Sequence, residues 1–259
     1  MAEAGEGASG GAPQPPPMPM SWRARQWSRI AKRHPSAFLL AAQLLSLVLY
    51  PLMDDTQSGR LLFGAATLVV VPLAVWVVNR SQLVTRLAWV LAIPAMLLTF
   101  CGVAFDRPAL LPYSAMLEAL LYFYAAAGLI SYMLSDHRVT VDELFAAGAT
   151  FTLLAWGFAY AYFVCQAWYP DSFTGLEPER QRTWMELLFF SFTNLSATGL
   201  GDILPVSSPA RALTMLEQFA GVGYIATVVS RLIGLTLMRA KRGGSRRPGQ
   251  NFGFSSVSW

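Results

Sequence analysis

One segment of the chain has residue types and spacing suited to binding a cation through its backbone. It reads Ser196-Ala197-Thr198-Gly199-Leu200-Gly201-Asp202, with glycine at two alternate positions. Glycine tolerates positive φ, so Gly199 and Gly201 permit a backbone conformation that alternates along the segment. Successive carbonyl oxygens can then point to one side and replace the water that a cation loses on leaving solution. The segment is a candidate cation-coordinating loop, and a glycine turn that merely reverses the chain is the alternative.

A short helix is predicted immediately before this loop. Thr183-Trp184-Met185-Glu186 has the pattern of a capping box, with Thr183 as the N-cap and Glu186 at the third helical position. The apolar run 187–195 that follows is too short to cross a bilayer. We expect the helix to enter and leave the membrane on the same side, with the negative end of its dipole at the loop, where it favours a cation. A turn that only reverses the chain would leave this capped helix unexplained.

The composition indicates a membrane protein. Of the 259 residues, 54% are hydrophobic and only 13% are charged, whereas a soluble domain carries roughly 25% charged residues. Six apolar segments are long enough to span a bilayer: 35–53, 61–79, 87–105, 110–134, 144–169 and 209–238. The sequence therefore predicts an all-α membrane protein with six transmembrane helices and a re-entrant pore helix and filter loop between helices five and six.

The charged residues predict the topology and four regions. Basic residues cluster before the first span and after the last, which places both termini in the cytoplasm of a multi-pass cell-membrane protein. Because the clusters flank the membrane, we expect them to report topology and not a nucleic-acid partner. The predicted regions are 1–34, a disordered basic N-terminus; 35–143, a four-helix membrane domain; 144–238, a pore domain; and 239–259, a basic tail. The fourth span lacks Arg and Lys, so the four-helix domain has no voltage-sensor charges.

The loop and the helices around it resemble the pore region of the potassium-channel superfamily, whose filter reads T-V-G-Y-G-D. The resemblance covers residues 144–238, and the first four helices match only in number. Arg211 and Gly221 fall where that family's pore regions commonly carry an arginine and a hinge glycine. One loop supplies only one carbonyl oxygen at each level along the path of the ion, so several chains are needed to surround it. The resemblance implies four, a homotetramer. It also implies K⁺ coordination by four backbone carbonyls, those of Ala197, Thr198, Gly199 and Leu200.

Three positions of the loop depart from the family pattern. Ala197 stands in place of threonine and removes a hydroxyl ring from the innermost site. Thr198 replaces valine, and its hydroxyl could bond back to the short helix. Leu200 replaces tyrosine, and we expect an apolar contact with Phe189 and Phe190 in place of a polar one. We therefore expect a weaker preference for K⁺ over Na⁺ than a full filter has, and Ala197→Thr is expected to strengthen it.

The last helix carries the predicted inner-helix and gate residues, Glu217, Gly221, Val222, Ile225 and Val229. Glu217 either bonds to the back of the short helix or faces the pore and enriches cations. Val222, Ile225 and Val229 share one helical face, which we place on a cavity, with ordinary packing as the alternative. In the fourth span, we expect Glu118 to be a buried, hydrogen-bonded residue, with an ion-pathway role as the alternative.

The function predicted from these features is conduction of monovalent cations, with potassium favoured and no cofactor beyond the permeating ion. The alternatives are a weakly selective cation channel and a non-conducting, channel-like membrane subunit. A transporter is disfavoured because one re-entrant element is present where paired broken helices are usual. An enzyme is disfavoured because no Ser/His or paired-carboxylate constellation occurs within the helices. The expected partners are lipid, monovalent cations and further copies of the chain.

Overall fold

The structure is a computed structural model, and it describes residues 35–49, 82–135, 141–175, 180–231, 233, 234 and 237. Its elements in chain order are α1 (Pro35–Leu49), α2 (Gln82–Ala104), a 3₁₀ helix (Pro108–Leu110), α3 (Leu111–Ser135), α4 (Val141–Trp168), β1 (Phe173–Thr174), α5 (Trp184–Leu195), β2 (Leu204–Pro205), α6 (Ser208–Tyr224) and a π-helix (Ile225–Val229). The predicted terminal regions 1–34 and 239–259 and the predicted span 61–79 lie outside the described residues.

Three described stretches are long and apolar enough to cross a membrane: Pro108–Ser135, Val141–Trp168 and Ser208–Val229. Two shorter apolar helices, Ser36–Leu49 and Arg86–Gly102, accompany them. The mostly helical fold and these stretches fit the predicted all-α membrane protein. The number of six spans stays a prediction.

Helices α3 and α4 form the centre of the core as an antiparallel pair. At one end the Tyr132 hydroxyl donates to Asp142 Oδ2 across 3.4 Å, and at the other the rings of Tyr113 and Trp168 lie 6.5 Å apart. Residues 152–160 of α4 are all buried. A helix that is apolar on every side needs neighbours on every side, and α1, α3, α5 and α6 all pack against α4.

Helix α1 runs parallel to α4, and an acidic side chain of α4 caps it. The Ser36 backbone N–H donates to Asp142 Oδ1 (3.2 Å) and the Ser36 hydroxyl to Asp142 Oδ2 (3.1 Å). The carboxylate thus lies at the positive end of the α1 dipole and accepts from a backbone N–H in its first turn. One turn further along, Leu40 packs closely over Gly148. Together these contacts align the beginnings of the two helices.

Helix α2 turns back into α3 through a tight connection. Arg107 N donates to the Gly102 carbonyl (2.9 Å) where α2 ends, and the Thr99 hydroxyl donates to Glu118 Oε1 (3.0 Å) between the paired helices. Helices α1, α2 and α4 therefore run in one direction and α3 in the other. The end of α1 and the beginning of α2 therefore lie at opposite ends of the bundle. The predicted span 61–79 lies between them in the sequence and would connect these two ends.

The Asp142 cap gives the first testable prediction. Asp142→Ala removes the acceptor for both Ser36 bonds and should destabilise the protein by about 1 kcal/mol, the usual cost of losing a helix N-cap. Asp142→Asn is the matched control, because asparagine retains one oxygen for the Ser36 backbone N–H and should cost less than alanine. The measurement is the midpoint of thermal unfolding in one detergent, followed by tryptophan fluorescence. Equal midpoints for the two variants would contradict the capping role.

Candidate functional site

The predicted capping box at the start of α5 is confirmed. Thr183 Oγ1 accepts from Glu186 N (3.3 Å), and Glu186 Oε2 accepts from Thr183 N (2.6 Å). Arg180 Nη2 donates to the other carboxylate oxygen, Glu186 Oε1 (2.6 Å). These bonds satisfy donors that a helix N-terminus leaves free. The beginning of this 12-residue helix is therefore fixed by its own side chains.

Aromatic side chains hold α5 against α4. The Trp184 ring, at the first helical position, lies 5.6 Å from Trp156 and 5.4 Å from Tyr160. Further along α5, the Phe190 ring lies 5.1 Å from Tyr162 and 5.7 Å from Phe173 of β1. Such ring contacts add to the stability gained from area burial alone, and they attach α5 along its length.

The two phenylalanines expected to contact Leu200 differ in position. Phe190 is buried among the rings described above, whereas Phe189 is 43% exposed. Phe189 lines a cavity of about 370 Å³ together with Asp202 and Ile203, at the outer end of the loop. Leu200 is 60% exposed. Within one chain, Phe189 is thus the phenylalanine on the side of the loop, and Phe190 serves the packing of α5.

Helix α5 ends in a Schellman motif whose left-handed residue is an alanine. Ala197 N donates to the Asn194 carbonyl (3.0 Å), and Thr198 N donates to the Thr193 carbonyl (2.9 Å). Ala197 has φ of +59°. Glycine is the usual residue at this position, and an L-residue there costs roughly 1–2 kcal/mol. The sequence pattern did not indicate this conformation, because alanine carries no signal for it.

The Ala197 conformation changes the expectation for Ala197→Thr. Branched side chains are the least tolerant of positive φ, so threonine at this position would strain the end of α5. Ala197→Thr was expected to restore a hydroxyl ring. It should instead weaken the Schellman motif, which sets the direction in which the loop leaves α5. The Thr198 hydroxyl lies 2.8 Å from that of Ser196, the C-cap residue of α5, so this side chain does reach back to the helix end.

Residues with positive φ alternate along the loop with residues outside the positive-φ region. Gly199 has φ of +57° and Gly201 has φ of +77°, as the sequence predicted, and Ala197 extends the series one step towards α5. Thr198 and Leu200, between them, are not in the positive-φ region. An added Cβ at either glycine would meet no atom within 4 Å in this chain. The glycines are therefore required by the backbone conformation and not by lack of space.

The outer end of the loop is tied to the segment after α4. Strands β1 and β2 pair antiparallel, with Phe173 opposite Pro205. Val206 N donates to the Ser172 carbonyl (2.9 Å), and Arg211 Nε, one turn into α6, donates to the Pro205 carbonyl (3.1 Å). The loop is thus anchored at one end by the Schellman motif and at the other by this strand pair, while residues 196–202 between them are exposed.

The structure distinguishes the two alternatives for Glu217. Its side chain is 0% exposed and bonds to the back of α5, where the Ser191 hydroxyl donates to Oε1. Tyr162 of α4 donates to Oε2 across 2.5 Å. Glu217 therefore links α4, α5 and α6, and the alternative in which it faces a pore is wrong. A carboxyl group buried this deeply needs such partners because unpaired burial is costly.

Gly221, which the sequence predicts to be an inner-helix residue, packs closely against the end of α5. An added Cβ at Gly221 would lie 2.1 Å from the carbonyl oxygen of Leu195, the last residue of α5. One turn earlier, Gln218 Nε2 donates to Asn194 Oδ1 (3.2 Å). Two turns of α6 thus lie directly against the end of α5, next to the beginning of the loop.

The three predicted cavity residues share an exposed face. Val222, Ile225 and Val229 are exposed in the single chain, so packing within the chain does not account for them. Ile225–Val229 is a π-helix, a geometry that is rare and is often found at functional sites. Tyr224, just before it, is buried and donates to the Ala147 carbonyl of α4 (2.6 Å), which leaves the exposed face turned away from α4.

The comparisons with known proteins gave one match. A family model described as "Ion channel" matches residues 119–237, which include α4, α5, the loop and α6. The comparison with curated proteins and that with solved structures each gave no match.

The Gly221 contact gives a prediction with a matched control. Gly221→Ala places a methyl group against the Leu195 carbonyl, a backbone atom that cannot move without displacing the end of α5. Gly223→Ala adds the same methyl group two residues away, where no atom lies within 4 Å. We expect Gly221→Ala to lower the thermal midpoint in detergent and to abolish ion flux in proteoliposomes. Gly223→Ala should retain the parent's midpoint, and an equal loss in both variants would contradict the role given to the contact.

Proposed function

We propose that this protein is a tetrameric channel for monovalent cations, with potassium preferred, because residues 119–237 match a family model described as "Ion channel". The observation that carries the proposal is the positive φ at three alternate residues directly after α5: Ala197, Gly199 and Gly201. When every second residue has positive φ, successive carbonyl oxygens can face one side of the loop. A column of such oxygens replaces the hydration shell of a permeating cation.

The ligands in this proposal are the backbone carbonyls of Ala197, Thr198, Gly199 and Leu200. One chain contributes one oxygen at each level, so four copies around an axis are needed to surround the ion. The exposure of residues 196–202 in the single chain agrees with a loop that faces an axis shared with other copies. The C-terminal end of α5 would add the negative end of a helix dipole beneath the innermost level.

The exposed apolar face of α6 supports self-assembly. Met215, Leu216 and Phe219 are more than half exposed, whereas α4 is buried along most of its length. In the proposed tetramer, neighbouring copies and lipid cover this face. Val222, Ile225 and Val229 line the cavity below the loop. Residues at α5 support the loop without lining the path of the ion. Thr183 and Glu186 cap this helix, and Trp184 and Phe190 attach it to α4.

A weakly selective cation channel is the second candidate, and Ala197 favours it. This residue provides no hydroxyl at the innermost site, and its strained conformation sits where the filter begins. A tenfold change in selectivity corresponds to about 1.4 kcal/mol, which is comparable to the cost of one residue at positive φ. A substitution that opposes positive φ at residue 197 should therefore be visible in the ion preference.

The selectivity prediction compares the parent with two substitutions at Ala197. Glycine accepts positive φ, so Ala197→Gly should relieve strain and retain both flux and ion preference. Ala197→Thr should lose flux because the branched side chain opposes the Schellman motif. The measurement is the reversal potential of the purified protein in planar bilayers, with K⁺ on one side and Na⁺ on the other. Full flux with a sharper K⁺ preference in Ala197→Thr would show that residue 197 does not need positive φ.

A further prediction tests whether the loop lines the path. Gly199→Ala should lower flux because alanine at φ of +57° costs roughly 1–2 kcal/mol, which adds to the strain already present at Ala197. The added methyl group meets no neighbour within the chain, so folding and assembly should be retained. Native mass spectrometry should count four chains in both proteins, and a potassium-flux assay in proteoliposomes should separate them. Unchanged flux in the variant, or a stable monomer in the parent, would refute the proposed pore.

A further inference from the structure

A buried carboxyl group lies outside the proposed pore, among the helices that precede it. Glu118 of α3 is 4% exposed and lies about 10 Å along the helix from Leu111, at 1.5 Å per residue. The Thr99 hydroxyl of α2 donates to its Oε1 across 3.0 Å, and the Tyr160 hydroxyl of α4 also bonds to it. Three helices therefore meet at this carboxyl group within the apolar part of the protein.

The groups that face Glu118 are uncharged. They are the hydroxyl of Thr99 from α2, the phenol of Tyr122 from α3 and the phenol of Tyr160 from α4. No basic side chain is among these neighbours in the part of the chain that the structure describes. An ionised carboxylate here would have hydroxyl donors but no counter-ion. Ionisable side chains inside a membrane are costly, and function is the usual reason for keeping one.

Two neighbouring donors, on rings that lie 5.6 Å apart, have no hydrogen-bond partner among the described residues. The Tyr122 hydroxyl is fully buried and unpaired, and so is the Trp156 indole N–H. Tyr122 is one helical turn after Glu118, on the same face of α3. An unpaired buried donor costs about 1–3 kcal/mol. Tyr122 is therefore placed to donate to the carboxylate when its proton has left.

The same aromatic group reaches the first residue of α5. The Tyr122 ring lies 5.6 Å from Trp156, edge-on, and 5.6 Å from Tyr160, stacked. Both of these rings also pack on Trp184, at 5.6 and 5.4 Å. A rotation of Tyr122 therefore acts on the two rings that hold the beginning of α5.

We propose that Glu118 is an intramembrane proton-binding site whose occupancy is transmitted to the loop through Trp156, Tyr160 and Trp184. In the protonated form, the carboxyl group is neutral and bonds to Thr99 and Tyr160. On deprotonation its O–H bond breaks and the proton passes to water on the side of the α2–α3 connection. The Tyr122 side chain then rotates and brings its hydroxyl to the carboxylate, which displaces the ring against Trp156 and Tyr160. The proton is the ligand because a single carboxyl group offers too few oxygen atoms for Ca²⁺, which takes six to eight.

The binding part of this inference is tested without any current. The carboxyl vibration of Glu118 is followed by infrared difference spectroscopy on the full-length protein in lipid, from about pH 5 to about pH 9, a range that covers documented buried glutamates. We expect one protonation step that is absent in Glu118→Gln. Tyr122→Phe removes only the spare donor and should raise the midpoint by about one pH unit. A titration that survives Glu118→Gln, or an unchanged midpoint in Tyr122→Phe, would overturn the assignment.

The coupling part rests on the proposed function and is tested by flux. Potassium flux in proteoliposomes should change with pH at the same midpoint as the infrared signal, and Glu118→Gln should remove that change. A potassium flux that does not change with pH, although Glu118 titrates, would overturn the coupling and leave the proposed channel intact. An absence of flux in the parent at every pH would overturn the proposed channel, whereas the infrared result would still decide the proton site. The pH dependence in Tyr122→Phe should move with its infrared midpoint, and a failure to do so would also overturn the coupling.

Discussion

The close approach of α6 to the end of α5 is the contact on which the position of the loop depends. Gly221 makes it possible, because any side chain there would collide with the Leu195 carbonyl. Glu217 and Gln218 then bond to Ser191 and Asn194 of α5 from the preceding turns. The loop begins at Ser196, directly after Leu195, so a displacement of this helix end moves the loop with it.

Polar groups inside the membrane part of the protein connect helices. Asp142 joins α1 to α4, Glu118 joins α2, α3 and α4, and Glu217 joins α4, α5 and α6. Each carboxyl group accepts bonds from hydroxyl or backbone donors, and such partners are what make burial affordable in an apolar setting. Tyr160 and Tyr162 of α4 serve Glu118 and Glu217 respectively. Helix α4 is thus the common scaffold between the outer helices and the loop.

Much of the site could be predicted because its signals are local. The capping box of Thr183 and Glu186 depends on residues three apart, and positive φ at Gly199 and Gly201 follows from the residue type. The left-handed conformation of Ala197 could not be predicted, since alanine usually avoids it. The burial of Phe190, in contrast to Phe189, depends on where α4 and β1 lie. Periodicity alone does not tell the two neighbouring phenylalanines apart.

The sequence by itself determined the membrane class, the short capped helix and the glycine loop, because hydropathy, capping and backbone freedom act over a few residues. Only the tertiary structure decided what the isolated polar and small residues do. Glu217 could have faced a pore or a helix, and the hydroxyls of Tyr162 and Ser191 settle that it faces α5. Gly221 could have been only a hinge, and the Leu195 carbonyl shows that it is a contact surface. The physical reason is that such partners lie tens of residues away along the chain and meet only when the helices pack.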